Sequence, residues 1–286
     1  MKVSGFTFLR HAVMNGYPFE ESIRSLLPLV DEFVIAIGDG QDDTLSRVQA
    51  ISDPKIRIIE TQWNEAMQDR GYVYGQQKMI AQFNCTGDWA FYLEADEVLH
   101  ENELESIHAA MERNLHAQDV EALYFDFFHF YGTPNQVGIA GYRRAPRIIR
   151  NSIRSIAPDG LFFVVMDQNK VGRYPKARHA GGSIYHYGHC RKVERMAEKL
   201  KQVGKYWGHA HQGFPGYGQI DTAELRPFFG THPAVMQDWL AHHAELVFHQ
   251  DPAYRLSRRD RRNRLRFWVE QTFGLEISKK HYVDLD

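Results

Sequence analysis

The chain has 286 residues, 43% of them hydrophobic and 24% charged, with 34 basic and 36 acidic side chains for a formal net charge of -2. Such a chain can bury a sizeable core as one large domain or a domain with an appendage, which excludes disorder and any global demand for a polyanionic partner such as nucleic acid. Its only cysteines, Cys85 and Cys190, exclude a disulfide scaffold and a four-cysteine zinc site, so a reducing cytoplasm is the expected compartment.

The opening run MKVSGFTFLRHA is too short and too quickly interrupted by charge for a signal peptide, and no window approaches a membrane-spanning length of apolar residues. Val3 to Leu9 predicts a first strand that empties into Arg10, His11 and a loop at Asn15 and Gly16. Pro18 suits the first turn of a helix with Phe19, Ile23, Leu26 and Leu27 on one face, stopped by Pro28. Phe33 to Ile37 is a second strand, followed by the loop Gly38-Asp39-Gly40-Gln41-Asp42-Asp43-Thr44, where Asp43 or Thr44 offers a cap for a short helix over 45–51. Lys55 to Glu60 alternates as a third strand, and a helix over Gly75 to Phe83 presents Gln76, Gln77 and Lys78. Trp89 to Leu93 reads as a buried fourth strand.

Strand and helix alternating in this way predict a doubly wound, mostly parallel α/β sheet. Neither a Gly-x-Gly-x-x-Gly nor a phosphate-loop pattern opens any helix, which disfavours dinucleotide and P-loop chemistry. The fourth strand ends in Glu94, Ala95, Asp96 and Glu97. Open α/β sheets bind ligands at such carboxyl ends, and in an extended chain Glu94 and Asp96 point the same way, roughly 6 to 7 Å apart. Carboxylates that close repel unless a cation, a proton or solvent separates them, so this corner reads as the edge of a metal and polyphosphate site. The alternative is a helix N-terminus, because Glu97, Glu101 and Glu103 suit the positive end of the predicted helix over 101–115.

Beyond that helix, strands over 123–131, 147–150, 161–166 and 183–187 without long helices between them predict a mixed second half of the sheet. A basic helix over 191–207, a Gly- and Pro-rich lid loop over 209–230, and helices over 233–247 and 257–273 complete a helical C-terminal extension. The expected organisation is therefore a core over 1–190 and an extension over 191–286.

The order F-T-F-L-R, V-D-E-F-V-I-A-I-G-D-G-Q-D-D-T, Q-Q-K, G-D-W before E-A-D-E-V, R-I-I-R and Y-H-Y-G resembles a family-two glycosyltransferase of the GT-A fold over roughly residues 3–190. The resemblance implies a nucleotide-sugar donor, a divalent Mn or Mg held by an Asp-x-Asp-type motif, and transfer to a sugar or lipid-linked acceptor with inversion. Glu94 stands where the first Asp of that motif usually falls, and Asp96 matches the metal-binding acid. His186 matches a late histidine that completes the metal site, with His189 as its near competitor. Asp159, in Ala157-Pro158-Asp159-Gly160, lies where the family places its base, although Pro-Asp-Gly is also a plain turn signal; Glu97 and Asp126 are the other carboxylates considered. The customary acid of the second strand falls on Ile37 by count, leaving Asp39 as the nearest candidate.

On charge alone, Arg10 and Lys78 could pair with the donor's phosphates, while Asp39 and Asp42 could accept from base and ribose. Phe127, Phe128, Phe130 and Tyr131 would line an acceptor or sugar site, or simply fill the core. The segment Arg255 to Arg266 holds seven arginines beside Leu265, Phe267 and Trp268. Such a run most often serves as a solvated helix face or subunit contact; it would also suit peripheral contact with the inner face of an anionic membrane. The enzyme-class rival is a nucleotidyltransferase, for which the glycine-rich triphosphate loop is missing, and the non-enzyme rival is a degenerate module that binds sugar nucleotides without turnover.

Overall fold

The alternation expected of the first half is realised as β1 (Val3–Leu9), α1 (Phe19–Leu26), β2 (Glu32–Gly38), α2 (Thr44–Ala50), β3 (Ile56–Thr61), α3 (Tyr72–Phe83), β4 (Trp89–Tyr92), β5 (Glu97–Leu99) and α4 (Leu104–Asn114). The second half supplies β6 (Ala122–Tyr131), β7 (Thr133–Gly138), β8 (Arg144–Arg150), β9 (Ser155–Ile156), β10 (Val164–Met166), β11 (Gly172–Arg173), β12 (Lys176–His189), α5 (Val193–Gly204), β13 (Leu225–Pro227), α6 (Gln237–His243), α7 (Arg258–Phe273) and β14 (Val283–Asp284). This computed structural model describes residues 1–208 and 213–286.

Strands β3, β2, β1 and β4 lie side by side, all parallel. Their continuous apolar runs are what a sheet covered on both faces requires. In β2, Phe33, Ile35 and Ile37 pack into one core cluster while Val34 and Ala36 pack into another on the opposite face. Past β4 the sheet turns antiparallel through β8, β6, β7 and β13, giving the mixed second half that was expected. Strand β12 runs parallel to β6 and antiparallel to β5, and β14 joins its start. Both β13 and β14 come from the stretch after residue 190, so the extension is woven into the sheet of the core.

Several boundaries differ from expectation. Glu97 opens the short strand β5 and is wholly buried, so it does not sit at a helix N-terminus; the helix proper begins at Leu104 after a 3-10 turn over Glu101–Glu103. Only the middle of β12 was foreseen, because Gly181 and Gly182 and the charged residues before them interrupt its pattern. Strand β7 was missed: Pro134 reads as a turn, and a proline is tolerated near a sheet edge. The basic helix starts at Val193 and ends in a 3-10 turn over Lys205–Trp207. The expected lid begins at residues 209–212, which lie outside the described residues; its later part holds a 3-10 turn at Thr222–Glu224 followed by β13.

Helix α7 begins where predicted, with Ser257 and Asp260 forming a reciprocal capping box. Arg258, Arg259, Arg261 and Arg262 on it make no ion pair among the described residues, and Leu265 and Trp268 are about three-fifths exposed, at 61% and 59%.

Candidate active site

The carboxyl ends of β1 and β4 open into a cleft of about 980 Å³, part of it open to solvent. Its floor includes Glu94, Ala95, Asp96 and His186, and its far wall is the run from Lys199 to Trp207. The turn bearing the acids is pinned by three neighbours. Thr7 Oγ1 donates to Leu93 O at 2.6 Å, Ser22 Oγ donates to Glu94 O at 3.0 Å, and Tyr187 N donates to Asp96 O at 2.8 Å. The last of these ties the acidic turn of β4 to β12 and so brings the sequence-distant His186 beside it.

Glu94, Asp96 and His186 each offer a ligand atom, and these atoms all lie within 4.8 Å of one another. Asp96 uses its two oxygens differently. Oδ2 accepts from Lys199 Nζ at 2.9 Å and from Arg191 Nη2 at 3.4 Å, whereas Oδ1 faces His186 Nε2 at 3.7 Å. Burial alone would raise the Asp96 carboxyl, but the Lys199 ammonium and the Arg191 guanidinium outweigh it and hold the group well below the usual carboxylate range. Glu94 goes the other way: burial, and then the nearby Glu97 charge, raise its carboxyl against the opposing pull of Arg147.

Arg147 is the brace behind this floor. It is fully buried and forks onto Glu97, Nε to Oε2 at 2.7 Å and Nη2 to Oε1 at 2.5 Å, with Nη2 also 3.3 Å from Glu94 Oε1. Such a bidentate pair orients both charges as no single contact could. Two carboxylates and an imidazole open to one point form a donor set suited to a hard divalent cation such as Mn or Mg.

The other predicted residues fall around this centre to different degrees. Arg10 lines the cleft but is already engaged: Nε donates to Asp39 O at 2.7 Å, Nη1 donates to Tyr206 Oη at 2.8 Å, and the guanidinium pairs with Glu65. Asp39, 3.6 Å from Arg10, lies with Asp42 beside a second depression at the ends of β2 and β3. Asp42 accepts from Met14 N at 2.8 Å and from the Thr44 hydroxyl at 2.7 Å, so it organises the loop as well as facing it. Lys78 is not on the cleft wall. It is buried beneath it, its Nζ donating to Gly160 O at 3.2 Å and lying 3.9 Å from the Tyr92 ring centroid. Asp159 accepts from Leu161 N at 2.7 Å, a turn contact, and the next two residues, Gly160 and Leu161, line the cleft. Of the alternative carboxylates, Glu97 is consumed by Arg147, and Asp126 pairs with Arg144 and His179. The aromatic run of β6 is largely core: Phe130 stacks on Tyr187, and Phe127 packs beneath the Arg147 guanidinium.

Sequence reasoning did not single out Arg191, Lys199, Arg147 or His129, although R-I-I-R did mark the strand that carries Arg147. The far wall was likewise unseen. Gly71, at φ +70° and with Trp207 ring atoms 2.9 Å from where a Cβ would sit, lets the end of α5 close down, and Gly71 N donates to Tyr206 O at 2.8 Å.

No family model matches the chain, and no curated protein matches it. Among solved structures it is similar to TarS 1–349 from S. aureus, with 17% identity over 53% of this chain and 48% of that one and a TM-score of 0.39. The same protein in complex with UDP-GlcNAc gives 18% identity, 53% and 46% coverage and a TM-score of 0.37. Glucosyl-3-phosphoglycerate synthase from Mycobacterium tuberculosis, in complex with Mn2+ and UDP-glucose, gives 16% identity, 44% and 43% coverage and a TM-score of 0.31. The chain spans about half the length of these matched structures.

Proposed function

We propose that the chain is a metal-dependent glycosyltransferase of GT-A type that moves a sugar from a nucleotide-sugar donor to an acceptor hydroxyl with inversion. The observation that carries this reading is the convergence of Glu94, Asp96 and His186 at the carboxyl end of a parallel strand, on the floor of a cleft with cations behind it. Asp96 Oδ1, His186 Nε2 and Glu94 would hold Mn or Mg, which when bound neutralises charge on the departing nucleoside diphosphate. Lys199 and Arg191 grip the other oxygen of Asp96 and thereby aim Oδ1 into the gap. The depression at Asp39 and Asp42 is suited to base and ribose, and Arg10 stands between the two hollows. Asp159 is the proposed base: its carboxylate takes the acceptor hydroxyl's proton as the new bond to the anomeric carbon forms and the bond to diphosphate breaks.

Thermal shift with a panel of nucleotide sugars tests this reading. With Mn present, the matching donor at about 100 times its dissociation constant adds on the order of 3 kcal/mol to the folded state and raises the melting temperature by several degrees. Excess EDTA removes the donor-dependent rise, and sugar transfer or slow donor hydrolysis accompanies it. A panel in which no nucleotide sugar raises the melting temperature, with or without Mn, rejects the assignment.

Arg258, Arg259, Arg261 and Arg262 of α7, without an ion pair among the described residues, and the exposed Leu265 and Trp268 that follow them support a peripheral contact with anionic lipid, where a lipid-linked acceptor would reside. The chain is expected to co-sediment with phosphatidylglycerol-containing vesicles and not with pure phosphatidylcholine. The triple change Arg258→Glu, Arg261→Glu and Arg262→Glu abolishes sedimentation, and wild type that ignores the anionic vesicles removes the membrane from the reading.

A further inference from the structure

His129 is not part of the cleft wall, yet it touches the imidazole at the acidic corner, His186. In the parallel pairing of β12 with β6, His186 stands opposite His129, and in the antiparallel pairing of β12 with β5 the same His186 stands opposite Glu97. One register row therefore carries Glu97, His186 and His129 on the same face of the sheet. The two rings meet edge to face, with His129 Nδ1 2.7 Å from His186 Nδ1. On its other side, His129 Nε2 is 2.8 Å from Tyr142 O.

A carbonyl oxygen only accepts, so His129 Nε2 carries the hydrogen. The ring is stacked on Phe127 and edged by Tyr142, with no carboxylate paired to it among the described residues, so it stays neutral and its Nδ1 is a lone pair. His186 Nδ1, at hydrogen-bonding distance from that lone pair, must then be the donor. The remaining nitrogen, His186 Nε2, is left bare and faces Asp96 Oδ1 across 3.7 Å, too far for a hydrogen bond. Gly188 reinforces the pose: a Cβ there would sit 2.5 Å from His186 Nε2, so only glycine leaves the ring where it is. This also accounts for the glycine of the Tyr185-His186-Tyr187-Gly188 stretch.

We infer that His129 is a positioning residue that holds His186 in the Nδ1–H tautomer, presenting Nε2 as a ready-made ligand for a divalent cation shared with Asp96. A neutral histidine side chain in water prefers the opposite, Nε2–H tautomer, so without His129 the site must reorganise before it can bind. The inference rests on the metal reading of the cleft, and its test separates the two.

Long-range 15N–1H NMR of the metal-free protein reads the tautomer directly, with His186→Ala used to assign the resonance. The expected spectrum has hydrogen on His186 Nδ1 and none on Nε2, and the reverse pattern overturns the inference. Mn titration by calorimetry supplies the second reading. His129→Phe, which cannot accept, weakens Mn binding about 10- to 100-fold, as loss of an outer-shell partner generally does. His129→Gln, whose amide can donate to Tyr142 O and accept from His186, stays within a few-fold of wild type, and it serves as the test variant should the Phe variant not fold. Mn affinity lost in His186→Ala but unchanged in His129→Phe overturns the role of His129 alone. Mn affinity that survives His186→Ala overturns the metal assignment, and this inference with it.

Discussion

On the proposed function, Asp96→Asn is expected to lower sugar transfer at saturating donor and Mn by on the order of 10²- to 10³-fold or more, the loss that follows when a group that stabilises developing charge is removed. The same variant is less stable than wild type without any metal present. Lys199 and Arg191 are directed at a carboxylate that is only 4% exposed, and removing one partner of a buried ionic cluster costs about 3–5 kcal/mol because the other charges are stranded. The pH dependence has a definite sign. A carboxyl held below its unfolded value contributes stability that is fully present above the unfolded pKa and is lost as pH falls through the folded one. The stability gap between wild type and Asp96→Asn is therefore flat from neutral pH down to about 5 and narrows below about 4. Urea denaturation at a series of pH values measures it; a variant as stable as wild type at pH 7, or one with full Mn-dependent transfer, contradicts the placement of Asp96 at the centre.

Arg147→Met is expected to destabilise the chain strongly while leaving all three proposed metal ligands in place. The guanidinium is the only cation hydrogen-bonded to Glu97 among the described residues, and Glu97 is wholly buried. Without it, a desolvated carboxylate keeps the Glu94 backbone N–H, 3.1 Å from Oε2, but no counter-ion, at a cost of about 3–5 kcal/mol, or on the order of 10 °C in melting temperature for a chain of this size. Adding Glu97→Gln to Arg147→Met removes the stranded charge, and part of the loss returns. A drop smaller than about 1 kcal/mol, or a double variant less stable than Arg147→Met, rules out this account of the brace.

What could be read from the residues and what could not divide along the reach of the interactions. Strands β1, β2 and β4 announce themselves because burial on both faces demands unbroken apolar runs, a local signature. Helix α7 was expected over 257–273, and the capping box of Ser257 and Asp260, whose bonds span three residues, fixes its start locally. Strand β12 does not, because its fourteen residues are held by β6, β5 and β14 rather than by their own pattern. In the site, Glu94, Asp96 and His186 were legible as an ordered set of motifs, and the structure brings them together. Lys199 is 103 positions from Asp96 and looks like any lysine of a basic helix; only the packing of α5 over the cleft makes it a partner. Lys78 misleads in the opposite sense. A lysine on a helix suggests solvent or phosphate, whereas here the ammonium lies within about 4 Å of the Tyr92 and Phe163 ring centroids under the cleft floor. His129 sits inside an aromatic strand whose composition suggests packing alone.

The stretch from Lys199 to Trp207 does two jobs with one piece of chain. At one end its ammonium neutralises Asp96, and at the other Tyr206 and Trp207 cover the hollow, tied to Gly71 and Arg10. The electrostatics of the acidic corner and the cover over the hollow therefore depend on one segment: a change that displaced it would take the Lys199 charge from Asp96 and leave Arg191 as the cation still beside that carboxylate.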